Sequence, residues 1–335
     1  MKNDNTTATK RRVLAAENLE NKPSITIGLI LTLAVMLSAF SLTSCNDSNA
    51  NNDNRVVVEV TAAHDQETGE HYFVTDTEEV PTGWVTFRFI NATEFTHFIF
   101  LDYLPGDKTI EDVKNEIWPA FQEAMYLIME DKDPNAAYEK LPEWFADIEF
   151  RGGPGFVSGG NTIETTVFLP SGNYVMECYV KSTDGTYHYT EGMAEALVVT
   201  EETSKAEEPA GADIQMSLTS QGFGIQGELT AGEHKVAVSF DEESPGLLGY
   251  DVHLARLDEE TEAKDVALWM DFSRKSGLVS DHENPEPAEF LGGTHDMPVG
   301  NTAYFTVDLE PGRYMWVAEQ TADAAMYEEF TIPGN

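Results

Sequence analysis

GNTIETTVFLPSGNY at residues 160–174 and GNTAYFTVDLEPGRY at 300–314 align without a gap, at an offset of 140. Gly152-Gly153 and Gly292-Gly293 stand at the same offset. Further upstream Leu104, Asp112 and Val113 match Leu257, Asp265 and Val266 at an offset of 153. Several anchored matches at fixed offsets mark an internal duplication. In the first copy Ile163, Thr165, Val167 and Leu169 share one parity, and Ala303, Phe305, Val307 and Leu309 mirror them in the second. Val85, Phe87 and Phe89 alternate in the same way with Trp84, Thr86 and Arg88. Period-two alternation predicts strands with one buried face, and hence antiparallel sheets packed as a sandwich.

Turns and interruptions fill in the rest. Pro170-Ser171-Gly172 and Pro311-Gly312 read as turns between strands. One helical segment interrupts each copy. In the first, Thr109 is placed to cap a helix with Asp112 three residues on. Ile110, Val113 and Ile117 follow at helical spacing, then Phe121 and Met125 beyond Pro119. This insertion is expected to run to about Phe145 and to lie against the sandwich. Residues 200–212 (TEETSKAEEPAGA) are acidic and carry Pro, Ala and Gly without an apolar period, which predicts a linker. The expected architecture is all-β: two tandem Greek-key sandwiches over 55–200 and 213–335, joined by an acidic linker at 201–212.

The first 45 residues read differently. Residues 1–24 are polar, and 25–42 (ITIGLILTLAVMLSAFSL) are almost wholly apolar or small, long enough to cross a bilayer as a tilted helix. Leu42-Thr43-Ser44-Cys45 then resembles the bacterial lipobox. That resemblance implies cleavage by signal peptidase II before Cys45, lipidation of Cys45, and a membrane partner through that lipid; an uncleaved anchor is the alternative. Residues 1–44 are therefore excluded from the fold reading. Residues 45–54 read as the lipidated Cys and a polar tether. Either way the remainder faces the periplasm or the cell exterior.

The chain holds 20 Lys+Arg against 59 Asp+Glu, a formal net charge of −39. Removing 1–44 takes away five basic and three acidic residues, leaving 15 against 56. Such a balance argues against nucleic acid as a partner, because phosphate neutralisation needs clustered Lys and Arg. It fits a solvated surface, or steering toward a basic partner. Only two cysteines occur, Cys45 and Cys178. With Cys45 assigned to lipid, Cys178 is a lone thiol outside the cytoplasm: a buried small hydrophobe or a metal ligand.

The first copy contains Asn91-Ala-Thr-Glu-Phe-Thr-His97, then Tyr174-Val-Met-Glu-Cys178, nine residues, His188, four residues and Met193. This resembles the cupredoxin (plastocyanin/azurin) pattern, in which an upstream His follows a strand ending in Asn. A Cys then ends a late strand, and a second His and a Met lie on the loop after it. The resemblance covers roughly 55–200 and, more weakly, 212–335. It implies tandem cupredoxin-like domains and one type 1 copper held by His97, Cys178, His188 and Met193. Two imidazoles, a thiolate and a long axial thioether form a soft trigonal set that suits copper in both oxidation states. Strand parity places Tyr174, Met176 and Cys178 on one face.

The second copy departs from the pattern. Tyr250 corresponds to His97 and Ala318 to Cys178, while Met326 corresponds to Met193 when the last strands are aligned. No copper is expected there. His253, His282 and His295 remain; Asp281-His282 and His295-Asp296 have the residue types to bind a divalent ion, but are expected as exposed loop residues. Multicopper oxidases and nitrite reductases resemble each other in a His beside the type 1 Cys; here the neighbours are Glu177 and Tyr179. No His-x-His pair, no Gly-Lys-Ser/Thr phosphate loop and no Gly-x-Ser-x-Gly elbow occurs. The sequence thus leads to the expectation that the chain is not an enzyme. Two readings stand. In one, a lipid-anchored envelope protein binds copper in its first domain, passes electrons or holds copper, and meets a basic redox protein. In the other, both sandwiches are metal-free binding or scaffold modules for an envelope protein or glycan, and Cys178 is a buried thiol.

Overall fold

The strands begin two residues past the tether read from the sequence, at Val56. The computed structural model describes residues 54–65, 67–244, 249–320 and 325–334; the signal segment, Cys45 and the tether read over 45–54, save its last residue, lie outside the described residues. The first half runs β1 (Val56–His64), β2 (His71–Thr75), β3 (Glu79–Asn91), β4 (Phe100–Tyr103), helix α1 (Trp118–Met129), β5 (Glu149–Phe150), β6 (Thr162–Leu169), β7 (Gly172–Glu177), helix α2 (His188–Glu191) and β8 (Ala194–Thr203). The second runs β9 (Ile214–Thr219), β10 (Gly222–Gln226), β11 (Gly232–Phe240), β12 (Val252–Leu257), helix α3 (Ala263–Trp269), β13 (Glu289–Thr294), β14 (Thr302–Leu309), β15 (Gly312–Val317) and β16 (Tyr327–Ile332). The fold is all-β with a helical insertion. No helix among the described residues is long and apolar enough to cross a membrane.

The duplication is visible in the strands. β6 and β14 carry the two aligned segments, and in both the second, fourth, sixth and eighth residues are buried. In the first half β1 and β6 flank β3, while β8, β7, β4 and β5 form the facing sheet in that order. Val58, Val60, Phe87, Phe89, Val167, Tyr174 and Met176 fill the space between, each fully or almost fully buried. Burial of one such side chain contributes about 1.5–3 kcal/mol. In the second half β12, β13, β15 and β16 form the sheet that faces β9, β11 and β14.

The halves are more closely joined than a linker implies. β14 pairs with β6 at Tyr304↔Thr166 and Phe305↔Thr165, so one sheet runs through both. Residues 52–335 form one compact unit. The expected linker also starts late: β8 continues to Thr203, with Thr200 opposite Pro81. Beyond it Tyr304 Oη donates to Glu208 at 2.6 Å, which pins the remaining segment to β14. Register along β3 therefore outweighs the local acidity of residues 200–203.

The helical insertion starts as its capping residues predict. The Asp112 carboxylate accepts from the Thr109 N–H at 2.9 Å and from the Thr109 hydroxyl at 3.0 Å. A π-turn at Val113–Ile117 precedes α1, where Pro119 lacks the N–H that would continue an α ladder. Leu104, Val113, Ile117, Trp118 and Met125 then pack on Val175, Tyr187 and Tyr189 as a second apolar cluster. This corrects the one-wet-face reading for β7. Its outward residues Val175 and Glu177 are buried as well, because the insertion covers them.

Candidate metal centre

Asn91 ends β3 and builds the loop that carries His97. Its amide Nδ2 donates to the carbonyls of Phe95 and Val157, each at 2.7 Å. Its Oδ1 accepts from the Thr93 N–H and hydroxyl at 3.1 and 2.8 Å. A buried amide with every bond satisfied specifies one loop geometry. His97 and Val157 then exchange backbone bonds of 3.1 and 2.8 Å. Cys178 directly follows β7, and its N–H bonds to the Met193 carbonyl at 3.0 Å. His188 opens α2, its N–H bonds to the Val180 carbonyl at 2.9 Å, and its own carbonyl accepts from the Met193 N–H at 3.0 Å.

These bonds bring three of the four expected ligands together. His97 Nδ1 stands 3.3 Å from His188 Nδ1 and 3.8 Å from Cys178 Sγ. Two nitrogens ~2.0–2.1 Å and a sulfur ~2.3 Å from one ion stand roughly that far apart. The rings of His97 and His188 are tilted by 57°, with centroids 5.1 Å apart. Met193 is fully buried in the same core cluster as Cys178, and its backbone bonds to both Cys178 and His188.

Burial sets the protonation of the cluster. It holds the pKa values of His97 and His188 well below that of a free histidine, with the neighbouring imidazoles adding repulsion. Both rings are therefore neutral and keep lone pairs for a metal. Burial also pushes the Cys178 thiol up to about 12, against the pull of backbone hydrogen bonds from Phe98 and Val180. The metal-free thiol is protonated at neutral pH, and a soft cation has to displace its proton.

The sequence reading missed His71. It opens β2, opposite His64 in the β1–β2 hairpin, and is buried. Ligand atoms of His71, His97 and His188 all lie within 4.8 Å of one another. His71 stacks on His188 with ring centroids 4.3 Å apart and 17° between planes, and on His64 at 4.6 Å and 12°. A coordinated ion lies near the plane of its imidazole. Two near-parallel rings at that spacing share no such point, so His71 covers His188 instead of joining it on one ion. The available signal was parity: His71 sits on the inward side of β2 with Phe73.

In the second half Tyr250 and Ala318 replace His97 and Cys178, as the alignment predicts. His295 and Asp296 correct the exposed-loop expectation: both are buried, as is His253, while His282 is exposed. Ligand atoms of Asp251, His253 and His295 come within 4.8 Å of one another. His253, however, accepts from the Phe156 N–H at Nδ1 (3.3 Å), which leaves Nε2 as the donor to Asp251 (2.9 Å). Both of its nitrogens are spent within the protein.

The order Asn91, His97, Cys178, His188, Met193 on two facing sheets is the order that the sequence resemblance implied. The fold is cupredoxin-like. No protein-family model matches the chain, and no curated protein matches it. Among solved structures it is similar to auracyanin A, a "blue" copper protein of Chloroflexus aurantiacus. Identity there is 21% over 44% of this chain and 99% of that one, with a TM-score of 0.26. It is similar to a multicopper oxidase at 11% identity over 83% of this chain and 88% of that one, TM-score 0.22. A Cu-containing nitrite reductase of Thermus scotoductus matches at 11% over 83% of this chain and 61% of that one, TM-score 0.22. The last two are enzymes and span both halves, so the expectation that the chain is not an enzyme does not stand.

Proposed function

We propose that the first half binds one copper ion through His97 Nδ1, His188 Nδ1 and Cys178 Sγ, with Met193 to supply a thioether, and that the site carries single electrons. The convergence of the two Nδ1 atoms and the sulfur, at 3.3 and 3.8 Å, carries this reading. Copper would supply a one-electron couple there. The chain's own part is to fix the donors by backbone bonds, exclude water and give up the Cys178 proton. Rigid donors that barely move between oxidation states favour fast transfer. The acidic surface suits a basic redox protein, and lipid on Cys45 would hold the domains at a membrane. Under this reading the second half carries no type 1 copper, having Tyr250 and Ala318 in place of two ligands.

The test is copper titration of the full-length protein with visible spectroscopy. One ion per chain, an intense thiolate-to-copper band and its loss in Cys178→Ser are expected. No band and no retained copper in the folded protein would overturn the proposal.

A further inference from the structure

Cys178 lies between Glu177 and Tyr179, and both neighbours turn to the other face of β7. There, under the helical insertion, a cavity of about 70 Å³ separates α1 from the sheet. Nine of its fourteen lining residues are aromatic, none is Lys or Arg, and two are acids, Asp102 and Glu177. Phe100 is the cross-strand partner of Glu177, and Asp102 is two residues on in β4, so both carboxylates rise from one face.

The two acids are unlike ordinary buried carboxylates. Asp102 is 6% exposed, and its Oδ1 has no hydrogen-bond partner. Glu177 has one donor, Trp118 Nε1 at 2.7 Å. The Tyr189 hydroxyl, also on the cavity, has no partner. Lys181 does not neutralise the pair, because its Nζ donates to the carbonyls of Phe272 and Arg274. An unpaired buried polar group is costly, and a buried carboxylate more so. Burial, with repulsion from Glu177 and Asp296, accordingly raises Asp102 well above the usual carboxylate range.

The walls complete the pattern. Trp118 stacks on Tyr189 at 4.8 Å, and Tyr189 on Tyr187 at 5.1 Å. Ring faces attract cations, most strongly when water is excluded. A metal ion would want more oxygen or nitrogen donors than two carboxylates among aromatic rings provide. We infer that this cavity is a binding site for a small organic ammonium ion, bounded by the rings of Trp118 and Tyr179 with its charge met by Asp102 and Glu177. The site lies on the other face of the strand end from Cys178, whose chain neighbours Glu177 and Tyr179 line it.

The experiment is a calorimetric titration of the full-length protein with methylammonium and trimethylammonium chloride, with neutral tert-butanol as a control of similar size. Saturable binding of an ammonium ion, with none of tert-butanol, is expected. Asp102→Asn and Glu177→Gln should each weaken it about tenfold or more, as expected for loss of a buried charged partner. In the wild type, nuclear Overhauser contacts from the ligand methyl protons to the Trp118 indole should place the ion without any variant. Equal binding of tert-butanol, no saturable binding, or binding without Trp118 contacts would overturn the inference.

Discussion

Cys178 and Ala318 occupy the same place in two copies of one strand end. The Cys178 N–H bonds to the Met193 carbonyl at 3.0 Å, and the Ala318 N–H bonds to the Met326 carbonyl at 2.9 Å. The backbone closure is kept where the thiol is lost. It follows that the sulfur is not needed to hold the strand. Cys178→Ala should fold, at a cost of about 1–2 kcal/mol for the lost buried volume. Copper uptake should vanish. Chemical denaturation paired with metal titration checks both halves of this expectation, and an unfolded variant would refute it.

His71 should act by stacking. His71→Phe preserves an aromatic face against His188, so the thiolate-to-copper band and the stability should both persist. His71→Ala should keep the band but lose about 1–3 kcal/mol of stability, from the cavity and the lost ring contact. Absorption and electron paramagnetic resonance of the two variants are the measurement. If His71 ligated the ion, the two would disturb the spectrum alike.

Much of this was legible in the residues, for stated reasons. Period two and a fixed offset gave β6 and β14 because strand parity is local and the duplication leaves it intact. His97, Cys178 and His188 could be grouped because their order along the chain reflects a common topology. His71 could not, because only the β1–β2 hairpin carries it to His188. The acidic balance suggested a solvated surface, yet Asp102, Glu177, Asp251, Asp296 and Glu319 are all buried. A charge count does not say which face an insertion or a second domain will cover. For the same reason the aromatic cavity was invisible: Glu177 counted only as the residue before a cysteine.

The second half should matter to the metal centre through Glu286. Its Oε1 accepts from the hydroxyls of Thr96 at 2.7 Å and Ser158 at 3.0 Å, and its Oε2 from Ser280 at 3.1 Å. The Ser280 hydroxyl in turn accepts from the Thr96 N–H at 3.0 Å. Thr96 immediately precedes His97, so a side chain of the second half grips the loop that carries a proposed ligand. Glu286→Ala should leave three hydroxyls without their acceptor and cost about 1–3 kcal/mol. Copper affinity should fall about tenfold, the scale seen when groups that orient a ligand are lost. Competition with a chelator reads the affinity, and an unchanged value in a destabilised variant would confine Glu286 to a structural role.

Asp296 should make the fold less stable as pH rises. Burial and the charge of Asp251 raise its pKa from 3.8 to about 7, although its Oδ2 accepts from the Gly249 N–H at 2.9 Å. The folded state therefore binds a proton that the unfolded state releases near pH 4. Its contribution is fully present below pH 3.8 and is lost as pH rises through 7. His253 and His295, held low by burial, act with the opposite sign, since the unfolded chain takes up their protons first below pH 6.5. Lys181, lowered to about 7, adds stability as pH rises above 7. To first order these terms are shared by the wild type and Asp296→Asn and cancel between them. Asn can still accept the Gly249 bond but cannot ionise. The variant should thus gain on the wild type between pH 5 and 8, by at most about 4 kcal/mol. Urea denaturation of both proteins at the two pH values is the check; a stability difference that does not change with pH would mean that Asp296 is ionised in the fold throughout.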